Sequence, residues 1–296
     1  MNYERLKIVY PSVERWKETS KISHVTRCAR ICYRKETGND LHLHDALLKN
    51  KHWSMFRHNT YYYIVPSNTE TPGFIYELDR IINVYKQKII GIDIKQDIVR
   101  NRFFVVTNGH WELDNPTISL AKYIVSEEEF ANSSEIAFNM LRYTFKVVTQ
   151  ISTSRELNRV SPNNISEEST RYVFEDGSIC KPHWMSDEDV HVANNTVILP
   201  DEYVFDKTQF IRYLWSCDSS FHKYHMLIDL GMDKQDARGV LPIDTLTVCA
   251  YTYSIEEWRR IIDLRYYGTT GKPHPNAKLI AGMIRDELIN LGYEFR

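Results

Sequence analysis

The sequence has no long apolar run, no paired-cysteine motif and no excess of charge of either sign. No stretch approaches the roughly 20 apolar residues that a membrane-spanning helix needs, so no membrane partner is expected. The opening residues, MNYERLKIVYPSVERW, hold no apolar segment of the kind a secretion signal carries. The formal charge is -2, whereas general nucleic-acid binders carry a basic excess, so no nucleic-acid partner is expected either. Any phosphate binding must then come from locally clustered arginines. The five cysteines, Cys28, Cys32, Cys180, Cys217 and Cys249, are odd in number and form no CxxC pair. They do not make a disulfide scaffold, and a reducing, cytoplasmic setting is expected. Cys28 and Cys32 are four residues apart and share a helical face, a spacing that suits a small buried pair better than a zinc site. His42, His44, His52 and His58 have no carboxylate at metal-ligand spacing, so no metal is expected.

What is present reads as α+β. Residues 12–33 place Val13, Trp16, Ile22, Val25, Ala29 and Cys32 near helical intervals, which predicts a first helix capped by Ser12. A second helix is predicted over 41–49. The β-branched and aromatic runs TYYYIV (60–65), RFFVVT (102–107) and YTFKVVTQI (143–151) predict three strands. Helical spacing recurs over 77–90 and around 134–141, and the acidic run at 127–129 reads as a helix start. The last third reads as mostly helical: 207–230 before Gly231, 233–240 before Pro242, 255–264, and 275–291 stopped by Gly292. The expected architecture is a central mixed or antiparallel sheet with flanking helices and a helical C-terminal third. With no repeat, low-complexity tract or linker, residues 1–296 read as one domain.

Residues 154–172, SRELNRVSPNNISEESTRY, are the most informative stretch. They follow the third predicted strand directly, and polar segments at strand ends are where sites are commonly built. Arg155, Arg159 and Arg171 lie here, with Ser169 two residues before Arg171. A guanidinium offers a rigid fork of donors that suits phosphate or a planar base edge. On composition alone, a solvated loop competes with an anion site.

The same stretch resembles the signature of the flavin-dependent thymidylate synthases, in which Arg-His-Arg is followed after seven residues by Ser-x-Arg-Tyr. Ser169, Thr170, Arg171 and Tyr172 match the second half, and Glu168 before them suits the common EESTRY variant. Seven residues earlier stand Arg159, Val160 and Ser161, so the first arginine is kept while valine and serine replace the other two. Glu156 and Leu157 match the frequent His-Glu-Leu lead-in. Three further segments match in order. CARICY (28–33) is similar to the family's first-helix Ala-Arg-x-Cys-Tyr. HWSMFRH (52–58) is similar to His-x-Ser-x-x-Glu-His, with Arg57 in place of the glutamate. DARGVLP (236–242) is similar to Ala-Arg-x-x-Leu-Pro. Trp258, Leu264, Arg265, His274 and Pro275 resemble features of longer members, and residues 66–142 resemble the insertion those members carry.

The resemblance implies transfer of a one-carbon unit from methylenetetrahydrofolate to C5 of dUMP, with FAD carrying the redox step and NADPH supplying the electrons. It places Arg159, Glu168, Ser169, Arg171 and Arg238 against the nucleotide. Arg265 falls against the pyrimidine, where a guanidinium stabilises negative charge developing on the ring. His52, Ser54, Arg57 and again Arg159 fall on the flavin side. The departures, Arg57, Val160 and Ser161, all cluster there, so weakened FAD binding is expected. The resemblance also implies a homotetramer with shared active sites. Two alternatives remain open: C5 modification of another pyrimidine nucleotide, by methyl or hydroxymethyl transfer without flavin, and a non-catalytic nucleotide binder.

Overall fold

The structure, a computed structural model, describes residues 6–85, 91–159, 164–195 and 208–296. Among these residues the strands are β1 (Lys7–Val9), β2 (Ser12–Trp16), β3 (Thr60–Pro66), β4 (Ile92–Asp97), β5 (Arg102–Asn108), β6 (Ile124–Val125), β7 (Arg142–Gln150), β8 (Ile165–Glu167), β9 (Ser178–Cys180) and β10 (Leu246–Ser254). They build an antiparallel sheet in the order β2-β7-β10-β8, a second antiparallel sheet in the order β4-β5-β3-β6, and a small parallel pair, β1-β9. The fold is thus α+β with antiparallel sheets and flanking helices, as the sequence indicates.

The strand period of two divides β3 and β5 between two cores. Tyr62, Phe104 and Val106 face the main core, where they join Phe145 and Val147 of β7, Tyr251 and Tyr253 of β10, and Trp258, Ile261, Ile280 and Ile284 of the C-terminal helices. Tyr63, Val65, Phe103 and Val105 face the other way, onto Ile75 and Trp111. Three of the four strands of this second sheet come from between residues 66 and 142. The sheet is therefore built largely from the segment that interrupts the sequence resemblance.

The helix predicted over 12–33 is in fact a strand followed by a helix. Residues 12–16 form β2, whose Val13 pairs with Val147. The helix spans Lys21–Ile31 and is capped by Ser20, not Ser12. The apolar spacing of Val13 and Trp16 fits either period over so few residues, and pairing with the long β7 edge decides for strand. The strand read through Ile151 stops at Gln150, and the chain turns straight into a helix over Ile151–Asn158. Residues 154–158 are therefore helical, not loop. β10 went unread in the nominally helical last third, although LTVCAYTYS has the composition of a strand, and it is the strand that joins β7 to β8. The other helices cover Asp40–Lys49, Gly73–Tyr85, Gly109–Asp114, Glu127–Ser133, Glu135–Phe138, Asp187–Asn195, Gln209–Asp229, Lys234–Ala237, Ile255–Ile262 and Pro275–Asn290. The ends of two expected helices, 86–90 and Lys207, lie outside the described residues. No helix among the described residues is long and apolar enough to cross a membrane.

Candidate functional site

The chain leaves β8 and is at once held on both sides. The Glu168 amide donates to the Val248 carbonyl and the Ser169 amide to the Cys32 carbonyl. The amides of Tyr172 and Val173 both return to the Ser169 carbonyl, closing a tight turn that leaves Arg171 and Tyr172 exposed. Facing this turn is the short helix Lys234–Ala237, continued by a 3-10 turn over Arg238–Val240. Arg238 Nη1 donates to Thr170 Oγ1 at 2.9 Å, Arg171 Nη2 to Gln235 Oε1 at 3.3 Å, and Lys234 Nζ to the Tyr172 carbonyl at 3.0 Å. Two motifs more than sixty residues apart in sequence thus form one cationic patch. Their partners are a hydroxyl, an amide and a carbonyl. Among the described residues no carboxylate pairs with Arg171, Arg238 or Lys234. Exposed cations with neutral partners keep their charge available to an anion from solution.

Arg159 and Arg265 form a second group around Glu156. Arg265 lies in a π-helical turn over Asp263–Tyr267 that ends at Gly268, whose φ of 70 is left-handed. Such turns inside helices recur at functional sites because they re-aim a side chain. The Arg265 Nε donates to the Glu156 carbonyl at 2.9 Å, and its Nη1 lies 3.2 Å from the Glu156 carboxylate. Arg159 Nη1 lies 3.5 Å from the same carboxylate, but its side chain is 71% exposed against 18% for Arg265. Beneath them, Glu167 accepts from Ser154 Oγ at 2.6 Å and from Asn158 Nδ2 at 3.3 Å, and Asn158 Oδ1 accepts from Tyr251 at 3.0 Å. Helix Ile151–Asn158 is therefore pinned to the sheet, and its Glu156 collects two arginines.

The 52–58 segment is a 3-10 turn over Trp53–His58, with His52 as the residue before it. His52 and Ser54 are exposed, while Phe56 and His58 are buried. The Arg57 Nε donates to His110 Nδ1 at 2.8 Å, and His110 Nε2 lies 3.3 Å from Asp114. Arg57 is thus directed at the helix Gly109–Asp114. Burial lowers the His110 pKa and Arg57 adds to the effect, while Asp114 opposes both. Beneath the turn, His58 Nδ1, Thr252 Oγ1, Thr144 Oγ1 and His24 Nε2 form a buried chain of contacts at 2.7, 2.7 and 3.0 Å. Burial pushes His58 down to about 3 and His24 down to about 4. The buried Arg142 guanidinium donates to the carbonyls of Arg57, Asn59 and Thr252 and to the Thr60 hydroxyl, which holds the turn against the sheets.

The structure thus brings Ser169 and Arg171 together with Arg238, and Arg159 with Arg265. Glu168 is buried, and its carboxylate is held by Arg34. Val160 and Ser161 lie outside the described residues. Glu156, Lys234, Gln235 and Arg34 were not singled out from sequence as parts of the site. Glu156 sits in the matched lead-in, but nothing in a sequence shows that one carboxylate serves two arginines. As a flavin site the 52–58 turn fits poorly. Arg57 is engaged with His110, and in sequence the uncharged Val160 and Ser161 stand where the family has histidine and arginine.

The fold and this patch define an α+β protein that presents paired, uncompensated arginines beside the end of a sheet. A family profile described as "Thymidylate synthase complementing protein" matches residues 112–289, and the chain belongs to that family. The match takes in residues 154–172, 236–242 and Arg265, whereas the segments at 28–33 and 52–58 lie before it. Among solved structures, the chain is similar to a UMP/dUMP methylase, PolB, from Streptomyces cacaoi, in its complexes with 5-Br UMP and 5-Br dUMP. Each is 17% identical, with a TM-score of 0.45 over 97% of this chain and 93% of that one. No curated protein matches the chain.

Proposed function

We propose that the protein binds a pyrimidine nucleoside monophosphate and transfers a one-carbon unit to C5 of its base, with dUMP as substrate and methylenetetrahydrofolate as donor. The observation that carries this reading is the pairing of Arg171 and Arg238 across Thr170 and Gln235, with no carboxylate to neutralise either arginine. In this reading Arg171, Arg238 and the Ser169 hydroxyl hold the phosphate, and Lys234 adds charge at its edge. Arg265, oriented by Glu156, faces the pyrimidine and stabilises negative charge as C5 becomes nucleophilic. Arg159 closes the same side. Glu168 acts from beneath, by holding the loop. The chain works as a homotetramer with shared sites, and the segment 66–142 is an insertion within a single domain.

For the family's reductive chemistry, FAD supplies the redox step and NADPH the electrons. The engagement of Arg57 with His110 favours a second reading, in which flavin binds weakly and a hydroxymethyl group or another pyrimidine is handled. Calorimetric titration of dUMP, UMP and dCMP, followed by a product assay with labelled methylenetetrahydrofolate, tests both. Dissociation constants above millimolar for every nucleotide would sink the binding claim. Binding without any labelled product would leave a non-catalytic nucleotide binder.

A further inference from the structure

Arg34 belongs to none of the motifs above, yet its guanidinium makes four contacts at the base of the nucleotide loop. It follows the helix Lys21–Ile31 and has a left-handed φ of 50, uncommon for a residue with a side chain. Its Nε donates to the Glu168 carboxylate, and its Nη2 reaches Glu168 Oε2 at 3.1 Å and Glu175 Oε2 at 2.8 Å. Its Nη1 donates to the Phe174 carbonyl at 3.1 Å. Glu168 is the last residue before the loop 169–174, and Glu175 is the first after it. One guanidinium therefore joins the two ends of the segment that carries Ser169, Thr170, Arg171 and Tyr172. Tyr33, its chain neighbour, adds a ring contact with Tyr172 at 5.5 Å between centroids.

We propose that Arg34 is a positioning residue that closes the 169–174 loop into the shape in which it receives a nucleotide phosphate. The inference rests on the nucleotide reading above. Both carboxylate side chains are only 3% exposed, so neither is solvated and the two share a single cation. Burial raises the Glu175 pKa to about 7 even against the pull of Arg34. Without the guanidinium Glu175 takes up a proton and Glu168 is left buried with no cation, so the tie between the loop ends is lost. Residues 169–174 are held by turn and loop hydrogen bonds and not by regular secondary structure, so without the clasp part of their ordering falls to the ligand, and that cost appears as lost affinity. Arg34 bonds to Glu168, Phe174 and Glu175 and not to the residues that meet Arg171 and Arg238, so its effect on phosphate is indirect.

The experiment compares dUMP with deoxyuridine, which lacks the phosphate, in the full-length protein. Arg34→Met leaves two buried carboxyl groups without their cation and is the variant most prone to misfold. The triple variant Arg34→Met, Glu168→Gln, Glu175→Gln removes the clasp without leaving buried charge, and thermal melting verifies its fold. The expected result is a loss of roughly tenfold or more in the preference for dUMP over deoxyuridine, with deoxyuridine affinity little changed. Arg34→Lys, which keeps the charge but not the fork, falls between wild type and the triple variant. Hydrogen exchange should accelerate over 169–174 and not over β10. A folded triple variant that keeps the wild-type preference overturns the clasp while leaving the nucleotide reading intact. A wild type with no preference for dUMP overturns both.

Discussion

Two arginine-bearing turns of the molecule differ in what their charge faces. At 169–172, Arg171 meets an amide, and across the turn Arg238 meets a hydroxyl. At 53–58, Arg57 meets an imidazole that is itself beside a carboxylate. The first arrangement leaves exposed guanidinium charge open to solution, whereas the second holds a half-buried guanidinium on a neutral imidazole, with a carboxylate one group away. The same contrast recurs elsewhere: Arg30 pairs with Asp40 at 2.6 Å, and Arg34 with Glu168 and Glu175. An arginine therefore marks an anion site only when its own fold has not already supplied the anion.

The largest expected effect comes from removing the open pair. Arg171→Ala with Arg238→Ala should weaken dUMP binding on the order of a thousandfold, since a charge-assisted contact contributes roughly 1.5–3 kcal/mol and the two need not add. Either single change should cost roughly ten- to a hundredfold. Arg57→Ala, by contrast, should leave dUMP affinity nearly unchanged in the same calorimetric titration. An Arg57 variant as damaged as Arg171→Ala would erase the distinction between the turns.

Arg265→Ala should lower turnover by about a hundredfold, the scale for losing one preorganised stabilising donor. Its effect on nucleotide affinity should be smaller. Steady-state kinetics separates the two, and a change confined to KM would reassign Arg265 to binding.

The two regions also respond to acid in opposite senses. His24 and His58 have folded pKa values depressed by burial to about 4 and about 3. The unfolded chain takes up those protons first, so this stability is present near neutrality and is lost as pH falls below about 6.5. Glu175 has a folded pKa raised to about 7, so its contribution is full in acid and is lost as pH rises through about 4.5 to 7. Glu175→Gln removes the opposing slope. Its stability should climb more steeply than that of wild type between pH 5 and 6.5, by on the order of 1 kcal/mol per pH unit. Denaturant melts across that range measure the slope, and parallel curves would count against a buried Glu175 carboxyl.

The smallest effect is expected on the turn side. Val160→His with Ser161→Arg, which restores the family's triplet, should strengthen FAD binding about tenfold, as followed by flavin fluorescence. Wild-type binding already below micromolar, with no gain in the variant, would mean that the altered triplet is tolerated.

Strands β3, β5 and β7 were legible because their β-branched and aromatic runs are longer than any helical reading allows. β2 was not, because five residues hold too little periodicity to exclude a helix. β10 was not legible between helical neighbours, and its central place depends on β7, about a hundred residues before it in sequence, and β8, about eighty before it. The arginine motifs were legible as strings, and so was family membership. The service of one Glu156 to both Arg159 and Arg265, and the joining of Glu168 to Glu175 by Arg34, were not. The Glu156–Arg159 pair has a local i,i+3 spacing, but the contacts that complete both groups span about 110 to 140 positions, and no local pattern encodes those.

By itself the sequence determined the residue types: the arginines, serine and carboxylates at family spacing, the missing triplet members, and the alternation that buries one face of each long strand. Only the tertiary structure decided which of those charges remain available. Whether a guanidinium can accept a ligand depends on the groups within about 3 Å of it. Those neighbours are set by the packing of distant segments, and not by the residues beside it in the chain.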